Sequence, residues 1–79
     1  MEPYDLDPPA QGRGTEVWRR YQRSLRLKQF ARDLASWERQ GWLDHPHFVE
    51  KIAYRRDCLA RWEEYLNGAI APFTGRKPK

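Results

Sequence analysis

What this chain has little of narrows it first. A single cysteine, Cys58, rules out an internal disulfide. No apolar run approaches the ~20 residues that a membrane-crossing helix needs. There is no glycine-rich phosphate loop, no Ser-His-Asp constellation and no zinc-ligand spacing, so the common sequence marks of enzymatic chemistry are missing. The start, Met1 to Asp7, is acidic and carries Pro3, unlike the basic opening of a secretory signal. An intracellular, soluble, cytoplasmic protein is the expectation. Size adds a further limit. In 79 residues there is room for one thin core, and area burial set against ~1.5 kcal/mol of entropy per ordered residue comes out near zero for such scaffolds. Without a disulfide, the remaining supports are a metal, a second chain or unusually good packing.

What is present is charge, unevenly placed, and many aromatic rings. The chain carries +4 overall. The first 14 residues are net acidic, residues 15–40 net +4, residues 41–68 net −1 and the last stretch net +3. Such a balance favours an acidic partner, nucleic acid or protein, without identifying it.

Proline and glycine divide the chain. Residues 1–14 hold Pro3, Pro8, Pro9, Gly12 and Gly14 with Tyr4 and Leu6 as the only apolar anchors, which reads as an extended or disordered arm. Residues 71–79 read as a basic tail. Between them, 15–70 reads as a helical hairpin, with helices over about 15–40 and 44–67. Thr15 is a good N-cap, followed by Glu16 at the positive end of the helix dipole. Gly41 suits the left-handed position after a helix, with Trp42 beyond it placed to contact Trp37. Asp44 is the expected second N-cap, with Leu43 and Phe48 as a hydrophobic staple and Pro46 in the first turn. Gly68 follows the second helix as Gly41 follows the first. So short a connection predicts an all-α fold, an antiparallel two-helix hairpin with flexible arms, completed to a four-helix bundle by dimerisation or by docking on a partner.

The helix faces point to the same need for company. At 100° per residue, Val17, Trp18, Tyr21 and Leu25 lie on one side of the first helix, and Leu27, Phe30, Leu34 and Trp37 nearly opposite. The second helix has one stripe, Phe48, Ile52, Leu59, Trp62 and Leu66, with Arg55 near its middle and Tyr54, Cys58 and Tyr65 on its flank. Eleven aromatics exceed what one seam between two helices encloses. Aromatic and arginine residues dominate interface hot spots, so the expected partner-binding residues are Trp18, Arg19, Tyr21, Arg23, Leu25, Arg26, Tyr54, Trp62 and Tyr65. The competing reading folds the arms back, with Tyr4, Leu6 and Phe73 as lids.

His45, His47, Asp44 and Cys58 are the only cluster with metal-ligand chemistry. His47 and Cys58 sit about three helical turns apart, beyond the reach of one ion, so no metal and no cofactor is expected. Cys58 lacks a base at hydrogen-bonding spacing, and the carboxylates Asp33, Glu38, Asp57, Glu63 and Glu64 have arginine partners at helical spacing. These residues imply a non-enzyme that binds a larger protein or protein complex as accessory subunit, regulator or inhibitor, with homodimerisation as one route. The alternative is a nucleic-acid-binding, transcription-associated helical protein. It rests on Arg19, Arg20, Arg23, Arg26, Lys28 and Arg32 with Trp18 and Tyr21 among them.

Overall fold

The first helix, α1, spans Glu16–Arg39 in the computed structural model, which describes residues 3–10, 12 and 14–69. Its N-cap is Thr15, whose side chain accepts from the Trp18 amide at 3.3 Å and donates to the Gly12 carbonyl. At the other end the Trp42 amide bonds the Trp37 carbonyl at 2.8 Å and the Gly41 amide bonds Glu38 at 3.0 Å. That pair of reverse bonds requires the left-handed φ of +74° that Gly41 adopts.

Three helices are found where the sequence reading expected two. The segment 44–67 is divided into α2, Val49–Ala60, and α3, Trp62–Leu66. Two corrections follow. Asp44 is not the N-cap of the second helix. That place belongs to Phe48, which makes no side-chain capping bond, and the preceding stretch is a turn in which the His47 amide donates to His45 Nδ1 at 3.1 Å. The staple of Leu43 on Phe48 therefore has no helix turn to span. Instead the Phe48 ring stacks on Trp42, with planes 10° apart, and tilts against Trp37 at 4.9 Å. Ring packing across the chain has outweighed the local cap.

The second correction is the break at Arg61, where φ −114° and ψ 43° leave the helical region. No glycine or proline marks it. Arg61 is held by carboxylates on both sides, Asp57 at 3.5 Å in α2 and Glu64 in α3. Beyond the break Tyr65 and Leu66 are both buried against α1. α3 ends as α1 does: Ala69 bonds back to Glu64, Gly68 to Tyr65, and Gly68 has φ +79°.

The core is a cluster of Leu27, Phe30, Cys58, Tyr65 and Leu66, of which Leu27, Cys58 and Leu66 are wholly inaccessible. Tyr4 joins it. The arm, expected to be extended or disordered, is without regular structure over 5–9, but its Tyr4 is buried, Leu6 packs against the cluster and Asp5 pairs with Lys28. Burying two anchors lets a proline-bearing segment with no helix of its own hold its place. Contacts step down α1 as they step up the following helices. Trp37 meets Phe48, Asp33 meets Arg55, Phe30 meets Tyr54 and Tyr65, and Arg23 meets Leu66. The basic tail over 71–79 and Phe73 lie outside the described residues. Among the described residues the fold is all-α, and no helix is long and apolar enough to cross a membrane.

Candidate functional site

α1 presents two surfaces, and they divide the residues that sequence reasoning grouped together. On its outward side Val17 is 63 % exposed and Leu25 44 % exposed. Between them Trp18 and Tyr21 are half-buried, their rings 5.6 Å apart and tilted by 46°. The change of face half-way along α1 is the cause. Residues 27 and 30 turn inward to Cys58 and Leu66, so residues on the first apolar side cannot.

More than a third of a turn away round the helix, Arg19, Gln22, Arg23 and Arg26 line a shallow groove. Glu16 lies 3.6 Å from Arg19 and 3.8 Å from Arg23. Arg23 also donates to the Leu66 carbonyl at 3.0 Å, placing a cation on the last turn of α3 where the helix dipole favours one. Its guanidinium sits 3.4 Å from where a side-chain carbon on Gly68 would stand, an ordinary van der Waals contact, so it is the backbone φ of +79° and not crowding that favours glycine there.

Farther along α1 a second hollow, about 530 Å³, opens between α1 and α2, and Arg26 lines both. Its centre is Arg55. The guanidinium carbon lies 5.0 Å from the Phe30 ring and 5.0 Å from the Trp37 ring, with Nε 3.3 Å from Asp33 Oδ2. Gln29 donates to the other Asp33 oxygen at 2.9 Å. Both carboxylate oxygens are thus engaged. Lys51 stands at the rim, 5.7 Å from the Phe48 ring.

Of the expected partner-binding residues, Trp18, Tyr21 and Leu25 fall on the outward side and Arg19, Arg23 and Arg26 in the groove. Tyr54 lines the hollow between α1 and α2 and packs edge-on against Phe30 at 5.8 Å. Tyr65 is buried and so serves the core, while Trp62 is half-buried and packs on the cluster from its edge. The break at Arg61 is the physical reason, since Tyr65 and Leu66 both pack onto α1 beyond it. Sequence reasoning passed over Asp33, Lys51 and Arg55 as groove residues. The sign was available, because an arginine in the middle of an apolar stripe needs an acidic partner on the facing helix.

Cys58 is a free, buried thiol. Burial pushes its pKa up, and the neighbouring Tyr54 hydroxyl only partly offsets this. The Tyr65 hydroxyl is likewise raised by burial, with Arg26 acting the other way. Among the described residues no three His, Cys, Asp or Glu side chains gather as a metal would require. Compared with known protein families, curated proteins and solved structures, the chain matches none.

Proposed function

We propose that this chain is a small, non-enzymatic, cytoplasmic interaction module, an accessory subunit or regulator that docks on a larger protein through the outward side of α1. The single observation carrying this reading is the exposure of Val17 and Leu25 on either side of the half-buried Trp18–Tyr21 pair. A lone exposed apolar side chain needs no explanation, but an aromatic pair flanked by two of them on one helix is the composition of an interface centre. Either a second copy, forming a helix bundle with the first, or a different protein can supply the cover.

Affinity purification from the native cell with the wild type and with Val17→Asp/Leu25→Asp tests the docking, and light scattering tests the dimer. The expected result is a defined partner, or a doubled mass, present for the wild type and lost in the variant. Retention of the same partner by the variant, or a wild-type monomer that recovers nothing, ends the proposal. The convergence of Arg19, Arg23 and Arg26 supports a second reading, a nucleic-acid-binding or transcription-associated protein. It expects a labelled DNA or RNA strand to be retained at low salt and released steeply as salt rises.

A further inference from the structure

The two hollows on α1 adjoin at Arg26 and together outline a channel. On a helical wheel, Arg19, Arg23, Arg26, Asp33 and Trp37 fall within one sector of about 80°, and Arg26 belongs to both hollows. From Arg19 to Trp37 the channel runs roughly 27 Å at ~1.5 Å per residue, the span of about eight residues of extended chain. We propose that this channel is the seat of an acidic polypeptide segment. Its carboxylates would face Arg26 and Lys51, and one of its apolar side chains would lie against Trp37 and Tyr54. This goes beyond the docking of the outward side of α1 and does not rest on it.

Charge carries the argument. Five cations line the channel, Arg19, Arg23, Arg26, Lys51 and Arg55, against the one carboxylate of Asp33. Asp33 is spent on Arg55 and Gln29, and Glu16 at the channel's end serves only Arg19 and Arg23. Among the described residues neither Arg26 nor Lys51 has a carboxylate within 4.0 Å. Three of the chain's other acids are occupied elsewhere: Asp5 pairs with Lys28, while Asp57 and Glu64 pair with Arg61. Cations in excess of the carboxylates beside them, as here, recognise carboxylate or phosphate.

The rings decide between these. A nucleic-acid strand held in a basic groove gains by stacking bases on open aromatic faces. Here Trp37 carries Arg55 on its ring and Phe48 at 4.9 Å, while Phe30 is buried beneath Arg55, Tyr54 and Tyr65. These rings form a closed wall. Such a wall accepts a leucine-sized side chain against its edges and leaves a base no face to stack on.

The test uses the full chain and a fluorescein-labelled octapeptide of alternating Glu and Leu, read by fluorescence anisotropy. Arg26 and Lys51 are both exposed, so Arg26→Glu/Lys51→Glu should fold, and far-UV circular dichroism verifies this. Saturable binding is expected, weakening with salt, reduced at least ~10-fold by the double reversal and unchanged by Leu25→Asp. The reversed protein should in turn take up an octapeptide of alternating Lys and Leu that the wild type refuses. Peptide binding that ignores the double reversal, or no binding at low salt, overturns the proposal. So does a labelled ten-nucleotide thymidine strand that binds more tightly than the peptide and is lost in the same variant.

Discussion

The two halves of α1 are made of similar residues and do different work. From Leu27 to Arg39 the helix turns its apolar side chains to α2 and α3, and Leu27 and Phe30 disappear into the core. From Glu16 to Arg26 the only fully buried residue is Ser24, whose hydroxyl donates to the Tyr21 carbonyl at 2.6 Å. Composition does not separate the halves. What separates them is the phase of the apolar residues relative to the helices that return alongside, so one half is scaffold and the other surface. An apolar side chain stabilises the monomer only where the chain itself covers it.

Substitutions can break that contrast, beginning where the effect is largest. Leu27→Ala should cost about 2–5 kcal/mol in urea unfolding, because the site is closed on every side. A loss below ~1 kcal/mol would mean that the second half is not the scaffold. Tyr4→Ala should cost about 2 kcal/mol, since the arm is the cover that the core borrows from outside the helices. An unchanged unfolding midpoint would return the arm to the solvent. Gly41→Ala should cost about 1 kcal/mol by forcing a side chain into left-handed backbone, although nothing lies within 4 Å of the added carbon. That isolates backbone strain from crowding.

A more gradual effect should accompany alkali. Cys58 and Tyr65 both have folded-state pKa values raised by burial, so the unfolded chain gives up these protons more readily. Their contribution is complete below the ordinary thiol and phenol ranges and declines as pH rises through the folded values. Thermal midpoints measured between pH 7 and 11 should fall, and Cys58→Ala should make the fall shallower. The smallest effect belongs to the outward half. Leu25→Ala should leave monomer unfolding within about 0.5 kcal/mol, and a larger loss would show that this side is already packed.

Thr15, Gly41 and Gly68 mark helix ends in the sequence because each acts through its own backbone within a turn of chain. The displaced stripe on α1 was legible for a similar reason, being a matter of spacing alone. Asp44 failed as a cap because Phe48 found Trp42 and Trp37, rings that only the folded chain brings together. The break at Arg61 was hidden because its residues are good helix formers. It is held by Asp57 and Glu64 and by the burial of Tyr65 and Leu66. In the candidate site the arginines of α1 were visible one by one, but the meeting of Arg26 with Lys51 and Arg55 in one hollow depends on how α2 lies against α1.

The burial of Tyr4 has a consequence in time. Its neighbours in the cluster include Cys58, Tyr65 and Leu66, the far end of the described chain. During synthesis the fourth residue must wait for the sixty-sixth, while α1 can form as soon as Gly41 has been added. Closing so long a loop comes after the local helical contacts, so the arm should be the last piece to settle. Until it does, the cluster of Leu27, Phe30, Cys58, Tyr65 and Leu66 lacks the cover that Tyr4 supplies.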